Sequence, residues 1–279
     1  MKLRGALPAA LLLASCAARI EHVEIVTVAP GGTAAVSSRT AVYQEALTLV
    51  LDALQQELGL PRLDVSLVLF PSSRAFERGL IEIGYPPALA KTASSFNGIG
   101  GARAVLVNAA LVDRLTRTER IRLIAHEVGH TLQYQLGGGV RGASEQWLRE
   151  GFAEWMARRV SARLRLGSLE SLRGDLLGAL AGARLGLAPA PFEELSTFPQ
   201  WVAAQGRYEV PLYVQAYIAA ELLIEMRGVP AVIRYFEWFK DSQDRERAFV
   251  ESFGVTPAAF ERQFQRRWHE TVSRWNAFR

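Results

Sequence analysis

The chain has 279 residues, 49% hydrophobic, 22% charged and 9% aromatic, an ordinary globular balance that excludes long disorder. Its formal charge is +4, from 32 Lys and Arg against 28 Asp and Glu, and +2 once Lys2 and Arg4 of the first segment are set aside. So small an excess excludes bulk charge as a reason to expect nucleic acid, and the single cysteine, Cys16, excludes an intrachain disulfide.

Lys2 and Arg4 form a basic start, Ala6 to Leu13 is a short apolar run, and small residues follow where a signal peptidase cuts. The run is too short to span a bilayer, and no other stretch is apolar for long enough. Leu13-Ala14-Ser15-Cys16 resembles the bacterial lipobox, whose cysteine is acylated and becomes the first mature residue. The resemblance implies a signal peptide over residues 1–15 and lipidation of Cys16. The body, 16–279, is then expected outside the cytoplasm, touching membrane through its lipid anchor only. Ala17, where no Asp stands to retain the protein inside, is similar to lipoproteins sent to the outer membrane. The expected location is the periplasmic face of that membrane.

Residues 22–28 alternate and are β-branched, which predicts a strand. Tyr43, Ala46, Leu47, Val50, Leu51 and Leu54 recur at helical spacing, and Gly59 and Pro61 close that helix. Residues 64–70 predict a second strand, residues 86–101 a loop, and Ala102 to Asn108 a third strand. Thr116 with Glu119 forms a capping box for a helix that Gly137-Gly138-Gly139 stops. Ser144 is expected to cap the next helix, running to about Leu166. Further helices are expected near 168–186, 209–227, 229–240, 242–253 and 256–276, with a proline-containing break at 188–191. The expected class is α+β: a small N-terminal mixed sheet with helices over about 20–140, then a helical lobe over about 141–279.

At the junction lies His126-Glu127-Val128-Gly129-His130. Histidines four apart on a helix project from one face, one turn from each other. Both can aim a ring nitrogen at one cation, and Zn2+ is the cofactor this pattern favours. Glu127, beside the first histidine, is placed to take a proton rather than to bind the ion. The next helix carries Glu150 and Glu154 in the apolar stretch Trp147-Leu148-Arg149-Glu150-Gly151-Phe152-Ala153-Glu154-Trp155. Burying two carboxylates is costly unless a cation or donors satisfy them. Glu150 can supply the third ligand that a catalytic zinc wants. Glu154, a turn on, is set to accept the other N–H of a ligating histidine. Gly151 in a helix interior costs about 1 kcal/mol against Ala, which makes sense where the two motif helices approach closely.

His126-Glu127-x-x-His130, nineteen residues, then Glu150-Gly151-Phe152-Ala153-Glu154, resembles the gluzincin metallopeptidases, the group of thermolysin and the zinc aminopeptidases. The layout is most similar to the compact peptidase-MA-like domains of bacterial lipoproteins. The resemblance implies hydrolysis of peptide bonds, with His126, His130 and Glu150 as zinc ligands. Glu127 would be the general base, and Glu154 would support a ligand. The family's transition-state donor is usually a Tyr or His further along, and Tyr208-Glu209-Val210-Pro211-Leu212-Tyr213-Val214-Gln215-Ala216-Tyr217 resembles its tyrosine-bearing helix start. Tyr213 is the expected donor, with Tyr208 and Tyr217 as alternatives; the bland reading makes all three packing residues. In these peptidases an edge strand binds extended substrate, and Ala102 to Asn108 resembles that strand. The chain departs from the aminopeptidases in having no Gly-x-Met-Glu-Asn; residues 94–101 read Ser-Ser-Phe-Asn-Gly-Ile-Gly-Gly. The His130-to-Glu150 gap is also one residue longer, so aminopeptidase activity is not carried over.

The C-terminal bases and aromatics raise nucleic acid or a membrane surface. Phe260, Phe264, Trp268 and Trp275 nevertheless share one helical stripe, as expected of a last helix packed on the body. A second reading of the chain is a catalytically silent envelope lipoprotein that keeps the fold as a binding or scaffolding module. The intact Glu127 argues against it, because metal binding alone does not need that carboxylate.

Overall fold

A computed structural model describes residues 23–28, 37–180 and 187–277. The expected signal segment, Cys16 and Ala17 lie outside the described residues, as do residues 181–186 of the helix expected near 168–186. The described part is mostly helical with one small mixed sheet. It divides into two compact units, Met1–Leu132 and Gln133–Arg279. Among the described residues no helix is long and apolar enough to cross a membrane.

The first unit carries β1 (Glu24–Thr27), α1 (Ser38–Leu58), β2 (Ser66–Phe70), α2 (Ser73–Glu82), α3 (Pro87–Ala93), β3 (Gly98–Gly100), β4 (Ala104–Asn108) and α4 (Ala109–Val112). It also holds most of α5 (Arg117–Leu136). α1 begins where the Ser37 hydroxyl accepts from Thr40 N–H, and ends at Gly59, whose left-handed backbone (φ 65°) lets its N–H reach Gln55 O. The expected Thr116–Glu119 capping box opens α5: Thr116 N–H donates to Glu119 at 2.8 Å and Glu119 N–H to the Thr116 hydroxyl at 3.3 Å.

The sheet order is β1-β2-β4-β3, with β2 and β4 parallel and the outer pairs antiparallel. All of β4 is buried, so it is an interior strand, and its continuous apolar run reflects burial on both faces. The expectation that Ala102 to Asn108 forms the edge is therefore corrected. The edge on that side is β3, three residues inside the segment read as loop, and α3 lies in the same segment. Below one face of the sheet Val68, Phe70, Ala104 and Leu106 form a core with Phe76, Leu80, Ala90 and Ala93, against which Phe96 and Ile99 pack.

The second unit carries α6 (Gln146–Arg163), α7 (Leu169–Leu177), α8 (Phe198–Gln205), α9 (Leu212–Arg227), α10 (Val229–Glu237), α11 (Arg245–Phe253) and α12 (Pro257–Ala277). Trp147 stacks on Phe192 at 4.2 Å and on Phe260 at 5.7 Å between ring centroids. Phe260, Phe264 and Trp268 are fully buried, as the stripe on the last helix predicts. Ser144 does not cap α6: its hydroxyl donates to Arg141 O and accepts from Arg149, and the cap position is Glu145. α8 was not expected. Thr197 and Gln200 form its capping box, with Pro199 in the first turn.

Candidate metal centre

α5 buries Ile121, Ile124, Ala125 and Val128, and this apolar face fixes the helix so that His126, Glu127 and His130 project together. All three are buried, at 8, 7 and 8% exposure. The Nε2 atoms of His126 and His130 stand 3.1 Å apart, with the rings edge to face at 84°. Two nitrogens on a tetrahedral zinc, each about 2.0–2.1 Å from it, are about 3.3–3.4 Å apart. The convergence thus fits a shared cation to within a few tenths of an ångström.

Glu127 is held from the sheet. Gly100 N–H donates to its Oε2 at 2.7 Å. The ladder explains why this amide is available. Asn108 N–H donates to Asn97 O at 2.9 Å and Gly101 N–H to Ala104 O at 2.8 Å. Gly98 faces Val107 and Gly100 faces Val105, so in the antiparallel alternation these two glycines turn their N–H and C=O groups away from β4. Their missing side chains let the strand come close. A Cβ on Gly100 would sit 2.3 Å from Glu127 O and 2.6 Å from His130 Cβ, and one on Gly98 would sit 3.2 Å from Glu127 Cγ. Nothing in the sequence pattern marked these glycines beyond their spacing of two.

In the second unit Glu150 is 5% exposed, and its Oε1 accepts from the side-chain amide of Gln146, one turn earlier on α6. Gln146 in turn accepts from the Arg141 guanidinium. Gln133, in the last turn of α5 and three residues past His130, donates to Arg149 O at 2.8 Å, next to Glu150. The Arg149 side chain is also buried, donating to Ser144 and lying 4.9 Å over the Tyr134 ring. Burial, with Arg141 nearby, pushes its pKa down to about 10.

Glu154 receives an ion pair from Arg158, four residues on. Gly151 answers to a different neighbour from the one expected. A Cβ there would lie 2.0 Å from Ala216 O and 3.0 Å from Ala220 Cβ, so the close approach is to α9. Of the three tyrosines, Tyr208 donates to Glu194 at 2.6 Å and Tyr217 to Glu221 at 2.9 Å. Burial, then the Glu221 charge, raises the Tyr217 pKa well above the ordinary phenol value. Tyr213, on the first turn of α9, is 38% exposed and lies edge-on to Trp201.

The sequence reading missed Gln146, Arg141 and the β3 glycines. Gln146 had a usable signal, its four-residue spacing from Glu150. Comparison of the chain with known protein families, characterised proteins and solved structures finds no match.

Proposed function

We propose that this chain is a zinc-dependent peptidase of gluzincin type, anchored through Cys16 at the cell envelope. Its α+β fold would carry the metal-binding helix between the sheet-bearing and the helical parts of the sequence. The observation that carries this reading is the pair of Nε2 atoms 3.1 Å apart on two buried histidines, with buried Glu127 on the same helix. Glu150, by the resemblance of its Glu-Gly-Phe-Ala-Glu segment, would supply the third ligand, and two imidazoles with one carboxylate are a donor set that suits zinc.

A zinc ion held there would act as a Lewis acid on a scissile carbonyl and bring the pKa of water toward about 7. Glu127 then accepts the proton of the attacking water and hands it to the leaving amine. The Gly100 amide orients that carboxylate before substrate arrives. Tyr213, with a partly exposed phenol at the start of α9, is suited to donate to the carbonyl oxygen as negative charge develops there. Gly98, with its backbone groups turned outward from the sheet, is suited to pair with an extended peptide by strand addition. Glu154 supports a ligand histidine in this scheme.

The test is Glu127→Gln. The variant should keep one equivalent of zinc by metal analysis while peptide hydrolysis falls by roughly 10²–10⁴-fold. Wild-type protein that takes up no zinc sinks both site and mechanism. Wild-type protein that binds zinc yet cleaves nothing in a peptide library favours the silent binding module.

A further inference from the structure

Gln146 belongs to neither the expected ligand set nor the expected proton chemistry, yet it is 3% exposed and spends its whole amide on this region. Its side-chain nitrogen donates to Glu150 Oε1, and its side-chain oxygen accepts from Arg141. The direction of the amide follows from these neighbours. A guanidinium has only donors, so the oxygen of Gln146 must face Arg141 and the NH2 must face Glu150. Arg141 is itself steadied, lying 5.4 Å over the Phe198 ring. The backbone is fixed as well, since Gln146 N–H donates to Ser196 O at 3.0 Å.

We propose that Gln146 is a positioning residue for the metal, acting through Glu150, with Arg141 setting the direction of its amide. This rests on the zinc-site reading given above. A carboxylate on a helix can rotate about its side-chain torsions, and a metal site loses affinity when a ligand must be ordered at the moment of binding. One N–H on Oε1 restrains that rotation and fixes the direction of the Glu150 carboxylate. Partners of ligands placed in this way typically contribute 10–100-fold in metal affinity. The four-residue spacing on one helix makes the contact insensitive to movement elsewhere, because both side chains ride on the same rigid backbone.

The experiment compares zinc affinity, by competition with a chromogenic chelator, in the full mature chain and three variants. Gln146→Met keeps the length and removes both polar atoms; it should bind zinc 10–100-fold more weakly. Arg141→Met leaves Gln146 in place but frees its amide to turn, and should weaken binding several-fold. Gln215→Met removes another fully buried glutamine, one bonded to the backbone of Ala190, and should leave zinc affinity within two-fold of wild type. Arg141 is only partly buried, so its variant remains informative if Gln146→Met fails to fold. Affinity within two-fold of wild type in either folded variant overturns the proposal and leaves the zinc site standing. An equal loss in Gln215→Met also overturns it, because the effect would then be general loosening. A wild-type chain without zinc overturns the site reading on which the proposal rests.

Discussion

The backbone N–H of Gly100 donates to the carboxylate of Glu127 at 2.7 Å, joining the short edge strand of the sheet to the candidate base. A side chain at position 100 would collide with Glu127 O and His130 Cβ. Gly100→Ala must therefore push β3 outward, breaking that hydrogen bond. We expect turnover to fall at least about ten-fold and stability to drop by about 1–3 kcal/mol, the usual range for overpacking. Steady-state kinetics on a peptide substrate and chemical denaturation check the two effects separately. Unchanged kinetics would release Glu127 from its dependence on the strand.

Glycines inside the helices of the second unit offer a matched comparison. Gly151→Ala drives a methyl into the Ala216 carbonyl at 2.0 Å, whereas a Cβ on Gly174 meets nothing within 4 Å. The first change is expected to destabilise by at least about 1–3 kcal/mol. The second should stabilise by roughly 0.5–1 kcal/mol through helix propensity. Denaturant midpoints at constant slope distinguish the two, and equal behaviour would mean that α6 and α9 can separate without loss.

Tyr213 and Tyr217 share a helix but should respond differently to loss of the hydroxyl. Tyr217 spends its O–H on Glu221 at 2.9 Å, so Tyr217→Phe should cost about 1 kcal/mol of stability. Tyr213→Phe should lower kcat by about 10²-fold, the scale of one oxyanion donor. Near-normal kcat in Tyr213→Phe removes that residue from the chemistry.

Asp113 provides a pH test in the first unit. Burial alone would raise its pKa, but hydrogen bonds from Arg39 at 3.0 Å and Tyr43 at 2.8 Å overcome this and hold it below the ordinary value. A carboxyl lowered on folding contributes stability above its unfolded pKa of about 3.9 and loses it as pH falls through the folded value. Asp113→Asn should thus be less stable at neutral pH and show a shallower loss in acid. Urea unfolding at a series of pH values between 2 and 7 measures both slopes, and parallel curves would mean that Asp113 titrates alike in the two states.

Much of this protein was legible in its sequence because the relevant signals are local. The apolar period of α1, the capping box at Thr116 and Glu119, and the two histidines one turn apart depend only on residues within a few positions. Buried carboxylates in an apolar stretch also pointed to Glu150, since desolvation needs compensation wherever the helix packs.

Tertiary structure decided what local periodicity does not encode. An apolar strand reads alike at an edge or inside a sheet; the hydrogen bonds to β2 and β3 made β4 interior and left the edge to three residues with two glycines. Gly151 announced a close approach, but only the packing showed that the neighbour is Ala216 on α9. Spacing put Gln146 on the face of Glu150, yet its role depends on Arg141, whose guanidinium orients the amide. The sequence by itself thus determined the helix that carries His126, Glu127 and His130. Only the fold decided what holds Glu127 and Glu150 in position, because those hydrogen bonds come from side-chain directions and from a strand 27 residues away, which no periodicity records.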